Sequence, residues 1–296
     1  KPSNGNSPTG ETRAWWRSPW LWGLLALYAL ALFLDGRQEP AYCDEGSFLR
    51  NVGHFAMFRT AEPVFTNYPT FYSYFLAGPI YLVYCIYYVF VRRFPLEGLF
   101  DWQLFAVVFR GDTDIWLWVG RSISILCAAG TLALVYRYCV TRLSRPALML
   151  ALGFLVSSPY YFYMQYARYA LPDVPIAFLV SLILFMAVRY LDRPQDKSLY
   201  LASFLAGLAA SAKLNGLLAL APLLALPWMV PAPASGRLLR LVFIMVCAAL
   251  GFCAGSPFNV FKPGIYASGF SLEAGLLVSS TVNLFPQWLL SALWGE

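Results

Sequence analysis

Charge is scarce in this chain. Asp, Glu, Lys and Arg together supply 12% of its 296 residues, against 59% that are hydrophobic, whereas a water-soluble domain carries about a quarter charged. That shortage excludes an ordinary soluble globule, because most of the chain must face lipid or other buried helices. Histidine is nearly absent too. The single one, His54, has no second His or Cys beside it, so it reads as an interfacial polar residue rather than a zinc ligand. Neither a Gly-rich phosphate loop after a strand nor a GxSxG is present, which argues against a soluble nucleotide-handling domain. Of the six cysteines, none has paired metal-ligand spacing. Cys85, Cys127, Cys139, Cys247 and Cys253 lie in or beside apolar segments and read as small buried hydrophobes. Cys43 borders an acidic pair and is read as packing, with no disulfide expected. A basic stripe with interleaved aromatics is also missing. The net charge of +6 therefore does not point to nucleic acid: the cations fall at the ends of apolar runs, where they orient a protein in a bilayer.

What the chain has in abundance is apolar length, with a mean hydropathy of +0.59. Residues 1 to 12 (KPSNGNSPTGET) are polar and rich in Gly, Pro and Ser, so a disordered lead is expected. Arg13 and Arg17 then introduce SPWLWGLLALYALALFL, about long enough to span a bilayer and without a small-residue cleavage site. It reads as a retained first helix with its N-terminus in the cytoplasm. Further apolar runs cover roughly 71 to 91, 115 to 139, 146 to 166, 174 to 191, 199 to 212, 214 to 230, 238 to 255 and 274 to 294. No interruption is long enough for a soluble domain. The expected architecture is all-α: a polytopic transmembrane helix bundle over residues 13–296. The chain begins at Lys1 rather than Met and stops at Glu296 just after an apolar run, so it reads as a piece of a longer protein, truncated at the C-terminus.

The segment Phe71 to Arg93 decides the topology. If it spans, the loop with Arg142 and Arg145 and the loop with Arg189, Arg193 and Lys197 both lie outside, against the positive-inside rule. If it lies along the outer interface, both loops and the Arg237/Arg240 loop become cytoplasmic. Its tyrosines (Tyr72, Tyr74, Tyr81, Tyr84, Tyr87, Tyr88) suit the headgroup region, and Gly78-Pro79 is expected to interrupt a simple spanning helix. The interfacial arrangement is preferred, with juxtamembrane helices in the first external loop. An ordinary spanning helix with a weak charge bias is the alternative.

Charges in or against apolar runs cost a few kcal/mol unless they meet water, a partner or a substrate, so each is a site candidate. Asp44 and Glu45 are neighbours, about 100° apart on a helix, so they cannot act as one symmetric dyad. One can face a reacting group while the other supports the loop; alternatively Asp44 merely N-caps the helix that follows. Arg121 sits about two turns into its helix, either binding an anion or reaching back to the interface. Arg168 and Asp173 flank Tyr-Ala-Leu-Pro, where Pro172 stops a helix; they could face a substrate or pair with each other across the corner. Lys213 interrupts the run 199 to 230, with Asn215-Gly216 supplying a turn, and stands where a lipid phosphate would be, or simply among headgroups.

In order and spacing, these residues resemble the polyprenyl-phosphate-dependent GT-C glycosyltransferases. The carriers are Tyr42-Cys43-Asp44-Glu45 after the first helix, Asn67-Tyr68-Pro69-Thr70 before an aromatic helix, Arg121 early in the next span, and Arg-Tyr-Ala-Leu-Pro-Asp at 168 to 173. The branch it looks most like contains the protein O-mannosyltransferases, the aminoarabinose transferase of lipid A and related lipopolysaccharide sugar transferases. Tyr68-Pro69-Thr70 departs from the family's usual His-Pro-Pro. The resemblance implies an inverting transferase of the bacterial inner membrane, multi-pass, that moves a sugar from a polyprenyl-phosphate donor to a lipid, glycan or protein acceptor at the outer face. It implies Asp44 as general base supported by Glu45, Arg168 and Asp173 organising the second external loop, and Lys213 meeting the donor phosphate. No cofactor or metal is called for, because Arg and Lys can handle a monophosphate leaving group. Two other classes fit the residues: a transporter or flippase whose buried charges line a path, although no internal repeat is evident, and a non-catalytic subunit whose charges only fix helix packing.

Overall fold

A computed structural model describes residues 18–36, 43–64, 69–91, 101–111, 113–140 and 168–264 except 232, with a few isolated positions besides. The expected lead at 1 to 12, most of the run 146 to 166 and the run 274 to 294 lie outside the described residues. Among the described residues every regular element is helical, and the all-α bundle is as the apolar runs predict. In chain order these are α1 (Pro19–Gly36), α2 (Cys43–Phe58), α3 (Phe71–Ile86, prolonged by a π-turn Tyr87–Val91), α4 (Trp102–Gly111), α5 (Thr113–Val140), α6 (Asp173–Asp192), α7 (Asp196–Ala212), a 3₁₀ segment Leu214–Ala219, α8 (Leu220–Met229), α9 (Ala234–Gly255) and α10 (Pro257–Phe261). Among the described residues four stretches are long and apolar enough to cross a membrane: Phe71–Val91, Asp114–Val140, Asp173–Asp192 and Ala234–Gly255. The chain is an integral membrane protein.

Side-chain contacts fix how the long helices run. Gly120 lies against Ala170, Gly130 against Phe178, and the Arg137 guanidinium over the Phe185 ring, so α5 and α6 run parallel. Asp173 at the start of α6 meets Lys213 just past the end of α7, so that pair is antiparallel. Helices α7 and α9 run parallel, since the Tyr200 ring lies 5.3 Å from that of Phe243 and Gly255 sits against Ser211. One end of the bundle therefore collects the starts of α5 and α6 and the ends of α7 and α9. The opposite end collects Arg137, Arg189, Arg193, Lys197, Arg237 and Arg240.

The α7/α9 seam is close because its residues are small. A Cβ at Gly207 would overlap the Ala248 carbonyl, and one at Gly251 would overlap the Phe204 carbonyl. With no hydrophobic drive between helices in lipid, such close backbone approach is the main source of attraction. Gly207→Ala and Gly251→Ala should each cost about 1–3 kcal/mol and lower the melting temperature in detergent, whereas Gly23→Ala, with nothing within 4 Å of the added methyl, should leave it unchanged.

Helices α2, α3 and α4 lie over the end that gathers the α5 and α6 starts. Their apolar cluster, built on Phe48, Tyr72, Leu76, Tyr84, Phe105 and Trp116, takes from α5 only residues between Ile115 and Ile123, and from α7 only Ala212. Helix α3 thus packs on the N-terminal half of α5. The expected interruption at Gly78-Pro79 does not occur: α3 continues through Pro79. Proline leaves the carbonyl four residues earlier without its helical donor, and here that residue, Phe75, is on the exposed side. The sequence predicted the break of the run 199 to 230 correctly. Lys213 is extended, at φ −159° and ψ 137°, between α7 and the 3₁₀ segment, and a Cβ at Gly216 would overlap the Ala209 backbone.

Candidate functional site

Two carboxylates that are adjacent in sequence have different surroundings. Both sit in the first turn of α2, where the helix dipole favours negative charge. Helix α2 begins at Cys43, so Asp44 is inside the first turn and is not its cap. Glu45 is 0% exposed and Arg121 is 1% exposed. The Arg121 guanidinium donates through Nε to Glu45 Oε1 at 3.0 Å and through Nη2 to Oε2 at 2.9 Å. The backbone N–H of Ala170 adds a third donor to Oε1 at 2.6 Å. One buried carboxylate thus ties α2, α5 and the corner before α6 together. A fork-to-fork pair of this kind also fixes orientation.

Asp44 is half-buried and lies on the α3-facing side of α2. At about 100° per residue it shares a face with Phe48 and Asn51. Phe48 meets the Tyr72 ring edge-on at 4.9 Å, and Asn51 Nδ2 donates to Ser73 Oγ at 3.1 Å. Asn51 Oδ1 also accepts from the Val64 N–H at 2.9 Å, holding the segment after α2 against the same face.

Lys213 Nζ donates to Asp173 Oδ1 at 2.9 Å, and the two side chains are 30% and 26% exposed. This pair is open to solvent where the Glu45–Arg121 pair is closed. The two clusters are neighbours: Tyr72, buried in α3, lies within electrostatic reach of both Glu45 and Asp173. Of the two partners that sequence left open for Asp173, substrate or Arg168, the structure shows a third, Lys213.

Tyr169 was not singled out by the sequence, although it stands inside Arg-Tyr-Ala-Leu-Pro-Asp. Its ring lies under the Arg121 guanidinium at 5.5 Å and beside that of Arg168 at 5.2 Å, and Trp118 adds a second ring 5.8 Å from Arg121. Ring faces of this kind stabilise guanidinium groups shielded from water. A second unanticipated feature is a hydroxyl junction at the same end. Ser256 Oγ accepts from the Thr70 N–H at 2.8 Å and from Thr70 Oγ1 at 3.1 Å, and donates to the Ser211 carbonyl at 3.1 Å. It joins the start of α3 to the ends of α7 and α9. Neither signal was available beforehand, because Ser and Thr in apolar runs usually bond their own helix.

Asp44, Glu45, Arg121, Arg168, Asp173 and Lys213 are thus all at one end of the bundle. His54 is elsewhere in role, its ring 4.6 Å from that of Phe58. Among the described residues no three His, Cys, Asp or Glu side chains gather as a metal-ligand set.

These features define a polytopic helical membrane protein with a polar site at one rim of its bundle. The family of dolichyl-phosphate-mannose-protein mannosyltransferases matches residues 95–261, and the chain belongs to it, which makes it a membrane glycosyltransferase of the GT-C type. The matched stretch includes Arg121, Arg168, Asp173 and Lys213, while Asp44 and Glu45 precede it. Comparison with curated proteins and with solved structures gave no match.

Proposed function

We propose that the protein transfers a sugar from a polyprenyl-phosphate donor to an acceptor hydroxyl at the outer membrane face, with inversion and with Asp44 as general base. The observation that carries this reading is the gathering of Asp44, Asp173, Lys213 and Arg168 at one end of a bundle whose other end holds Arg137, Arg189, Arg193, Lys197, Arg237 and Arg240. The positive-inside rule makes the latter end cytoplasmic, so the site faces outward. Helix α3, packed on the N-terminal half of α5, is then interfacial.

In this reaction Asp44 takes the proton of the acceptor hydroxyl while the acceptor oxygen attacks the anomeric carbon. The bond from that carbon to the phosphate oxygen breaks on the opposite face, and the electron pair leaves with the polyprenyl phosphate. Lys213 and Arg168 offset the charge that develops there. Asp173 holds the Lys213 ammonium in place. Arg121, buried and paired through two donors with Glu45, acts through α2 rather than on substrate.

The test supplies the protein with isolated membrane lipids and follows release of polyprenyl phosphate. Release dependent on an added acceptor is the expected result; uptake of the lipid-linked sugar into sealed vesicles without release would replace the transferase by a flippase. In the same assay Lys213→Ala should lower kcat/KM for the donor by about tenfold to a hundredfold, and Lys213→Arg should recover part of it.

A further inference from the structure

A second site lies on the other flank of α2. A groove of about 400 Å³ opens between α2, α4 and the start of α5, lined by Leu49, Arg50, Phe109, Arg110, Asp114 and Leu117. At about 100° per residue, its α2 residues lie roughly 120–160° around the helix from Asp44. The groove is therefore not an extension of the acceptor side.

Its chemistry is specific. Leu49, Phe109 and Leu117 give it an apolar floor. Arg50 is exposed and makes no ion pair among the described residues. Arg110 is likewise exposed, and Nη2 lies 3.3 Å from the soft sulfur of Met57, which neutralises nothing. Asp114, in the first turn of α5, also makes no ion pair among the described residues. Two guanidinium groups suit a phosphate, which they bind through paired N–H donors. The carboxylate beside them offers a partner to a cation carried by the same ligand, so a zwitterionic headgroup engages all three charges.

Asp114 is also the first residue of the stretch Asp114–Val140, which is long and apolar enough to cross the membrane. That places the groove at headgroup depth, where a ligand with a phosphate, an ammonium and an acyl tail is a membrane lipid.

We propose that this groove binds an aminophospholipid: the phosphate between Arg50 and Arg110, the ammonium on Asp114, and the first methylenes on Leu49, Phe109 and Leu117. The lipid then braces α2 against α4 and α5 from the side opposite the site.

The experiment uses the whole protein in detergent and measures lipid retained per protein by native mass spectrometry after exchange into phosphatidylethanolamine, phosphatidylcholine or phosphatidylglycerol. It reads binding alone, so its outcome is independent of the sugar-transfer reading. Phosphatidylethanolamine should be retained about tenfold better than the other two. The double variant R50Q/R110Q, at exposed positions that tolerate the change, should lose that retention. Asp114→Asn should keep phosphate binding but abolish the preference over phosphatidylcholine. Equal retention of the three lipids by the unchanged protein, or unaltered retention in R50Q/R110Q, overturns the proposal.

Discussion

Asp44→Asn is expected to abolish sugar transfer while leaving the protein folded and inserted. General-base catalysis contributes about 10²–10⁴-fold, and an amide of the same shape cannot take the acceptor proton. The substitution is mild for the fold because Asp44 is only half-buried, and buried ties from α2 to α5 and to the corner before α6 run through Glu45. Release of polyprenyl phosphate should therefore fall by at least about a hundredfold, with the melting temperature in detergent unchanged. Full activity in Asp44→Asn would refute its role as base. Glu45→Gln serves as the counter-case, because it should disturb activity and stability together.

The distinction between Asp44 and Glu45 shows where sequence reading reaches its limit. Adjacent residues on a helix diverge by about 100°, so the sequence indicates that the two carboxylates have different surroundings. Which one is enclosed depends on what packs against α2. Arg121 and the Ala170 N–H are 76 and 125 residues away in the chain, and no local pattern pairs them with Glu45. By contrast, the break at Lys213 and the start of α6 after Pro172 were legible, because Lys-Leu-Asn-Gly in an apolar run and Pro after a helix act through backbone geometry alone. Pro79 marks the limit of that same logic: a proline whose freed carbonyl lies on the exposed side of a helix need not break it. For α3 the sequence leaves two placements, a span or the interface. Its length and hydropathy admit a span, and with the helix continuing through Pro79 the case for the interface rests on its tyrosines and on the cations at Arg137, Arg189 and Arg237, on other segments.

Removing either half of the Glu45–Arg121 pair should be the most destabilising single change at the site. Both side chains are enclosed, so Glu45→Ala leaves a guanidinium without its counter-charge and Arg121→Ala leaves a carboxylate. Breaking a buried pair in this way costs about 3–5 kcal/mol. The expected readout is a fall of several degrees in melting temperature, and loss of transfer because α2 no longer holds Asp44 in place. A double replacement by apolar residues of similar volume, Glu45→Met with Arg121→Leu, separates the two effects. It removes both desolvated charges at once, and such replacements are often neutral or stabilising, so most of the lost melting temperature should return. Transfer should not return with it, since packing by Met and Leu supplies no directional tie to the Ala170 N–H and leaves the first turn of α2 free to rotate. Recovery of stability and activity together in the double variant would show that the pair serves only to fill space. Recovery of stability alone assigns it to positioning Asp44, the proposed base, one residue away.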